Sequence, residues 1–229
     1  MTKKATYTGW YARVEGPDGA GKSLLLANAK AYAEKHNIPA IFIREPGTGA
    51  FGEEIRNFLL HKAEHEFSPQ TEYALFTANR THLVSDVILP ALREGKIVIS
   101  DRGIESSAAM QGGKAGALVA KQKGHNESLT VEQIFSIGHS LLPSFYMKPD
   151  GLLLLSLSHD TRRRRMQDKA VSNGLDKIES RTLEYSDAVH DAYISFESAL
   201  DHATVIDAEQ PPEELFTQAR ALLFGPTHA

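Results

Sequence analysis

The chain has 229 residues, enough for one sizeable domain and too few for two comfortable ones. Hydrophobic residues make up 41%, charged residues 24%, and the formal net charge is -4, which argues against a surface built to coat a nucleic-acid backbone. With no cysteine, a disulfide framework, a thiolate zinc site and a cysteine nucleophile are all excluded.

The amino-terminal stretch MTKKATYTGW carries two lysines with no apolar run behind them, so no signal peptide is expected. Tyr11–Glu15 reads as the first strand, followed by a Gly-rich turn and a helix over Lys22–His36. Ile38–Arg44 is the second strand. A helix is predicted over Gly52–Leu60, with Ile55, Leu59 and Leu60 on its apolar side, and another over Pro69–Glu94, bent at Pro90 where a backbone donor is missing. Ile97–Ser100 is a compact strand ending on Asp101-Arg102. Gln111–Ser128, with four glycines among lysines, reads as irregular with little to bury. Leu152–Leu157 is a fourth strand, too short to cross a bilayer, and Thr204–Ile206 a fifth. Between them, Arg162–Lys177 opens as a very basic helix and passes through a turn at Ser172-Asn173-Gly174. Strands alternating with helices predict an α/β domain over residues 1–229, with one parallel five-stranded sheet between helices and a mobile lid at about 160–177. A soluble, cytoplasmic protein with no membrane or nucleic-acid partner is expected.

Gly16, Pro17, Asp18, Gly19, Ala20, Gly21, Lys22 and Ser23 satisfy G-x-x-x-x-G-K-[ST] between a strand and a helix. That placement lets backbone N–H groups point inward at the β-phosphate of ATP, with the helix dipole behind them. Lys22 is the candidate bridge to the β- and γ-phosphates, and the Ser23 hydroxyl a candidate Mg²⁺ ligand. The loop establishes a nucleoside triphosphate site without naming a reaction.

Further segments stand in order along the chain: REPG at Arg44–Gly47, Ile55-Arg56, FTANR at Phe76–Arg80, Asp101-Arg102 with Ser106-Ser107 and Gln111-Gly112 behind, LDKIE at Leu175–Glu179 and VIDA at Val205–Ala208. Together with EGPDGAGKS at Glu15–Ser23, this set resembles the thymidylate kinase family over nearly the whole chain. The resemblance implies ATP-dependent phosphorylation of a deoxynucleoside monophosphate, dTMP to dTDP, with Mg²⁺ as cofactor and a homodimer as the assembly. Asp101 would emerge at the sheet's carboxyl edge to hold Mg²⁺, although an Asp there also suits a helix cap or a salt bridge. Arg44, Arg56 and Arg102 are candidates for the acceptor's phosphate, since a guanidinium fork binds two phosphate oxygens at once.

Phe76 and Arg80 share one helix face, which suits a nucleobase; on the residues alone Phe76 also reads as core. In the family the matching residues stack on thymine and bond its O4, Ser107 and Gln111 match positions that orient the base, and Asp18 matches one near the sugar 3′-hydroxyl. Glu45 matches an active-site residue that reaches Mg²⁺ or its waters. The run Arg162–Arg165, followed by Lys169, corresponds to the lid, and Arg162 and Arg165 are the candidate catalytic arginines; the plainer reading is a solvated basic helix face.

Two departures stand out on the acceptor side. Gly103 occupies a position where the family usually has Tyr or His, and Met110 stands where an aromatic is expected beside the sugar. A roomier pocket and a modified deoxyuridylate as acceptor are the alternative they raise. A deoxynucleoside kinase and a nucleotide-gated regulator are the remaining rivals. The first would need a base beside a sugar hydroxyl, and the second gives the Phe76/Arg80 face no purpose.

Overall fold

A computed structural model describes residues 7–60, 67–125, 127–172, 174–226 and 228. Five strands, β1 (Trp10–Glu15), β2 (Ala40–Arg44), β3 (Ile97–Asp101), β4 (Gly151–Ser156) and β5 (Ala203–Asp207), form one parallel sheet in the order β2-β3-β1-β4-β5. β1 lies between β3 and β4, with Val14 opposite Asp101 on one side and Leu153 on the other. The chain leaves β1 toward β2 and β3 on one side and later returns to β4 on the other. The carboxyl end of β1 is therefore the switch point at which an open α/β sheet binds its ligand.

Both faces of the sheet are covered, which is why its strands read as near-continuous apolar runs. Ala12, Val14, Ile99, Leu153 and Leu155 pack on α1 (Lys22–Lys35) and α11 (Pro212–Phe224) through Leu25, Ala29, Ala219 and Leu223. Tyr11, Val98 and Leu154 face a second core built from α3 (Pro69–Leu83), α5 (Ile104–Met110) and α10 (Leu183–Ala199). Each fully buried Leu or Ile here contributes roughly 2 kcal/mol of apolar transfer.

Three expectations need correction. The helix after Pro69 does not run to Glu94 with a bend at Pro90. It ends at Leu83, passes through a π turn at Val84–Ile88 and resumes as α4 (Leu89–Arg93). A proline ring clashes with the carbonyl four residues back, so the wider turn opens before Pro90. Gln111–Ser128 is not irregular: α6 (Gly113–Gln122) buries Ala115, Gly116, Val119 and Ala120. Its small residues make a narrow apolar face that packs on α10, and its glycines lower helix propensity enough to mask it. The third expected strand extends by one residue, to Asp101, which joins the sheet opposite Val14.

The other described helices are α2 (Gly49–Leu60), α7 (Val131–Leu141) and α8 (Ser144–Met147), and α9 (His159–Ser172) occupies the expected lid segment. Of the predicted turn Ser172-Asn173-Gly174, Asn173 lies outside the described residues. Among the described residues no helix is long and apolar enough to cross a membrane.

Candidate active site

A cavity of about 450 Å³ opens above the carboxyl ends of β1, β2 and β3. Asp18, Gly19, Gly21, Lys22 and Ser23 form its phosphate-loop side, while Arg44, Arg56, Phe76, Arg80, Ser107 and Gln111 line the opposite side. The fold thus brings to one cavity residues that the sequence distributes over nearly a hundred positions.

On the phosphate side, Lys22 in the first turn of α1 donates to the carbonyls of Gly16 (2.8 Å) and Pro17 (2.9 Å). Burial, followed by repulsion from Arg102, holds its ammonium down at about 8. Arg102 follows β3 in a left-handed backbone conformation (φ 73°), a position that costs a non-glycine residue about 1 kcal/mol and is met most often at functional sites. Its guanidinium pairs with Asp18 and donates to Ser106 Oγ (3.0 Å) and the Gly16 carbonyl (3.3 Å). Burial pushes the Asp18 carboxyl up, but Arg102 and Lys22 outweigh it and leave the group below the usual carboxylate range.

Beneath this pair lies Glu15, which sequence reasoning placed inside the motif without a role. Its Oε1 accepts from the backbone N–H of Gly103 (2.6 Å) and Ser106 (3.3 Å), and its Oε2 from Ser106 Oγ (2.7 Å) and Tyr193 Oη (2.8 Å). A buried carboxylate satisfied four times over fixes the β3–α5 turn that carries Arg102.

Arg44 and Arg56 meet on the acceptor side. Arg44 is half exposed and paired with Glu53 at 3.2 Å, whereas Arg56 donates to the Pro46 carbonyl at 3.1 Å. Gly47 permits this approach: a Cβ there would lie 2.9 Å from Arg44 Nε and 3.1 Å from Arg56 Cδ. Burial, and next the like charge of Arg44, lower the Arg56 guanidinium below its ordinary value. Two mutually repelling guanidiniums at a cavity wall favour an anion between them. Phe76 is half-buried at the cavity wall, which suits stacking while still touching the core.

Arg80 is 2% exposed. Its Nε donates to Glu45 Oε2 (2.9 Å) and its Nη2 to the Gly103 carbonyl (2.9 Å) and Ser107 Oγ (3.1 Å). Its Nη1 is buried with no partner among the described residues, and the residue lines the cavity. Gln111 Nε2 donates to Glu72 Oε2 (3.3 Å), and the other oxygen of Glu72 pairs with Arg181 beyond the lid. Glu72 and Arg181 carried no signal in the sequence beyond their charge.

Several expected roles change. Tyr146 Oη lies within hydrogen-bond distance of both Glu45 oxygens (2.9 and 2.8 Å) and Arg80 Nε donates to Oε2, so Glu45, which also lines the cavity, brackets Arg80. The fit to Mg²⁺ rests on Ser23, at the cavity, and on Asp101, whose Oδ1 is buried with no partner among the described residues. Neither lid arginine reaches the cavity in this arrangement. Arg162 is buried against α10, bound to Ser186 and to Asp187 (2.6 Å). Arg165 ties the Gly19 carbonyl (3.1 Å) to that of Ala208 (3.0 Å) beneath the phosphate loop. Lys169, paired with Glu179, is the basic residue of α9 on the cavity wall. A Cβ on Gly103 would run into Arg13, 2.3 Å from its Cδ, and both Gly103 and Met110 line the cavity.

The thymidylate kinase family model matches residues 14–219. A thymidylate kinase of Exiguobacterium sibiricum is 34% identical over 214 residues, 92% of each chain. One from Kosmotoga olearia is 36% identical over 180 residues, 79% of this chain and 78% of its own. One from Clavibacter michiganensis is 33% identical over 221 residues, 94% of this chain and 97% of its own. The family match takes in both the phosphate loop at Gly16 and the acceptor wall through Glu179; the chain belongs to the thymidylate kinase family.

Proposed function

We propose that the chain transfers the γ-phosphoryl group of ATP to thymidylate, giving ADP and dTDP. The observation that carries this reading is the unpartnered Nη1 of Arg80 at the wall of the shared cavity. A buried donor without an acceptor is costly, and a base carbonyl satisfies it. Arg80 then reads the C4 carbonyl, Phe76 stacks on the ring, and Ser107 and Gln111 orient it. Arg44, Arg56 and Arg102 hold the acceptor phosphate. The alternative of a modified deoxyuridylate is not favoured, since all three relatives described above are thymidylate kinases.

An oxygen of the acceptor phosphate attacks the γ-phosphorus in line, and the bond to the β,γ-bridging oxygen breaks with its electron pair leaving on ADP. The attacking oxygen is already anionic, so no strong general base is needed. Lys22 and the loop N–H groups from Gly16 to Ser23 neutralise charge on the β- and γ-phosphates, and catalysis is placement plus electrostatics. Mg²⁺, held by Ser23 and Asp101, would add charge neutralisation on the same phosphates. Asp18 steers Arg102 and faces the sugar. Arg165, bonded to the loop at Gly19, is the lid arginine nearest the transferred group, and Arg162 anchors α9 on α10.

An ADP-release assay with Mg·ATP and a panel of monophosphates tests this. The highest kcat/KM is expected with dTMP, and Arg80→Met is expected to raise the KM for dTMP roughly 10- to 100-fold, the value of a charged hydrogen bond. A variant that binds dTMP like the parent would remove Arg80 from base recognition.

A further inference from the structure

The described structure contains a second arginine that touches no substrate and yet leads to the acceptor base. Arg13 sits in the middle of β1, the central strand, with 0% exposure, on the face that β1 also presents through Tyr11 and Glu15. Such a residue is expensive to bury, and its terminal nitrogens are engaged: Nη1 donates to the Tyr146 carbonyl (3.0 Å), Nη2 pairs with Glu105 (2.7 Å), and the guanidinium lies over the Tyr146 ring, 4.9 Å from its centroid, while Nε has no partner among the described residues. Room for it exists only because residue 103 is glycine. A Cβ on Gly103 would lie 2.3 Å from Arg13 Cδ, 2.9 Å from its Nε and 3.0 Å from its Nη1.

The contacts continue in one direction. Tyr146, itself fully buried, donates through Oη to the Glu45 carboxylate, and burial holds its phenol well above the ordinary tyrosine value, so it remains a donor. Glu45 Oε2 accepts from Arg80 Nε, and Arg80 Nη2 donates to the carbonyl of Gly103, the residue whose missing side chain admits Arg13. The path closes on itself: Arg13, Tyr146, Glu45, Arg80, Gly103. Among the described residues it leaves two donors without a partner, Arg13 Nε in the core and Arg80 Nη1 on the residue that lines the cavity.

We infer that Tyr146 and Arg13 are positioning residues for recognition of the acceptor base, fixing Arg80 through Glu45, and that Gly103 and Arg13 form a matched pair in which neither works without the other. This rests on the reading of Arg80 as the group that meets the base. On this account Gly103 does not mark an altered substrate.

The test uses the full chain and three variants: Arg80→Met, Tyr146→Phe and Gly103→Ala. Tyr146→Phe removes one hydroxyl and leaves the ring under Arg13. It is expected to raise the KM for dTMP ~5-fold, the effect of one lost hydrogen bond, and to lower the ratio of kcat/KM for dTMP over dCMP by a similar factor. The KM for ATP and kcat should stay at the parent values, a split that general loosening of the fold would not give. Gly103→Ala, which drives a methyl group into Arg13, should shift the same two acceptor quantities and also lower Tm. If Tyr146→Phe leaves both acceptor quantities unchanged while Arg80→Met moves them, the positioning inference is wrong and base recognition by Arg80 stands. If Arg80→Met itself moves neither, base recognition by Arg80 fails and the inference falls with it.

Discussion

Replacing Lys22 with Met is expected to stop phosphoryl transfer and to raise the melting temperature. The catalytic loss should be ~10³-fold in kcat, the usual size when a preorganised charge on the reacting phosphates is removed. The gain in stability follows from burial. The ammonium is held at about 8 against an ordinary 10.5, a folded-state penalty on the order of 3 kcal/mol at neutral pH. Leaving the Gly16 and Pro17 carbonyls without their donor takes back roughly 1–2 kcal/mol. A net gain of about 1–2 kcal/mol corresponds to a Tm roughly 2–8 °C higher. The pH dependence has a definite sign. Between about 8 and 10.5 the unfolded chain binds more protons at this site than the native state, so native stability rises with pH there. The advantage of Lys22→Met should therefore be full below pH 8 and shrink through that window, as melting curves across it would show. Equal or lower stability of the variant at neutral pH would mean that Lys22 is not held down by burial.

Arg102→Met should have the opposite thermal sign. Its guanidinium joins the phosphate loop, through Asp18 and the Gly16 carbonyl, to α5, through Ser106. Removing it should lower kcat/KM for dTMP by ~10³-fold, because one side chain serves both the acceptor phosphate and the loop that holds ATP. It also leaves the largely buried Asp18 with Lys22 as its nearest cation, at a cost of about 2 kcal/mol, seen as a lower Tm. The double variant Arg102→Met/Asp18→Asn should recover most of that stability and none of the activity, since a neutral amide no longer needs the ion pair. If Asp18→Asn failed to restore Tm, the pair would not be what holds the loop to β3.

These two residues were legible before any coordinates because their chemistry is local. A P-loop needs a glycine-rich run of fixed spacing ahead of a helix, and Asp101-Arg102 ends a β-branched strand, so sequence order alone puts both at one sheet edge. All five strands were readable for the same reason, as short apolar runs between turn residues. The acceptor side depends on contacts between distant segments. Nothing in REPG reveals that Glu45 meets Tyr146, about a hundred residues on, and Arg80. The lid arginines were read by charge, and which way each points is decided by Asp187 on α10 and by the Gly19 carbonyl. Two signals were present and passed over. Thr130 with Gln133 is a capping box that announces α7, and Arg13 is a charge on an inward position of an apolar strand, a pattern that asks for a buried partner. The helix α6 is hard to read because Gly113 and Gly116 lower its helix propensity, although Ala115, Val119 and Ala120 recur on one face.

The central claim is that the acceptor already carries a phosphate. The most direct measurement is to incubate the protein with Mg·ATP and either thymidine or dTMP and to separate the products by anion-exchange chromatography. The account predicts that thymidine is recovered unchanged while dTMP is converted to the diphosphate with one ADP formed per dTDP. Conversion of thymidine to its monophosphate, with dTMP left untouched, would contradict it, because Arg44, Arg56 and Arg102 would then be arranged around a phosphate the substrate does not have.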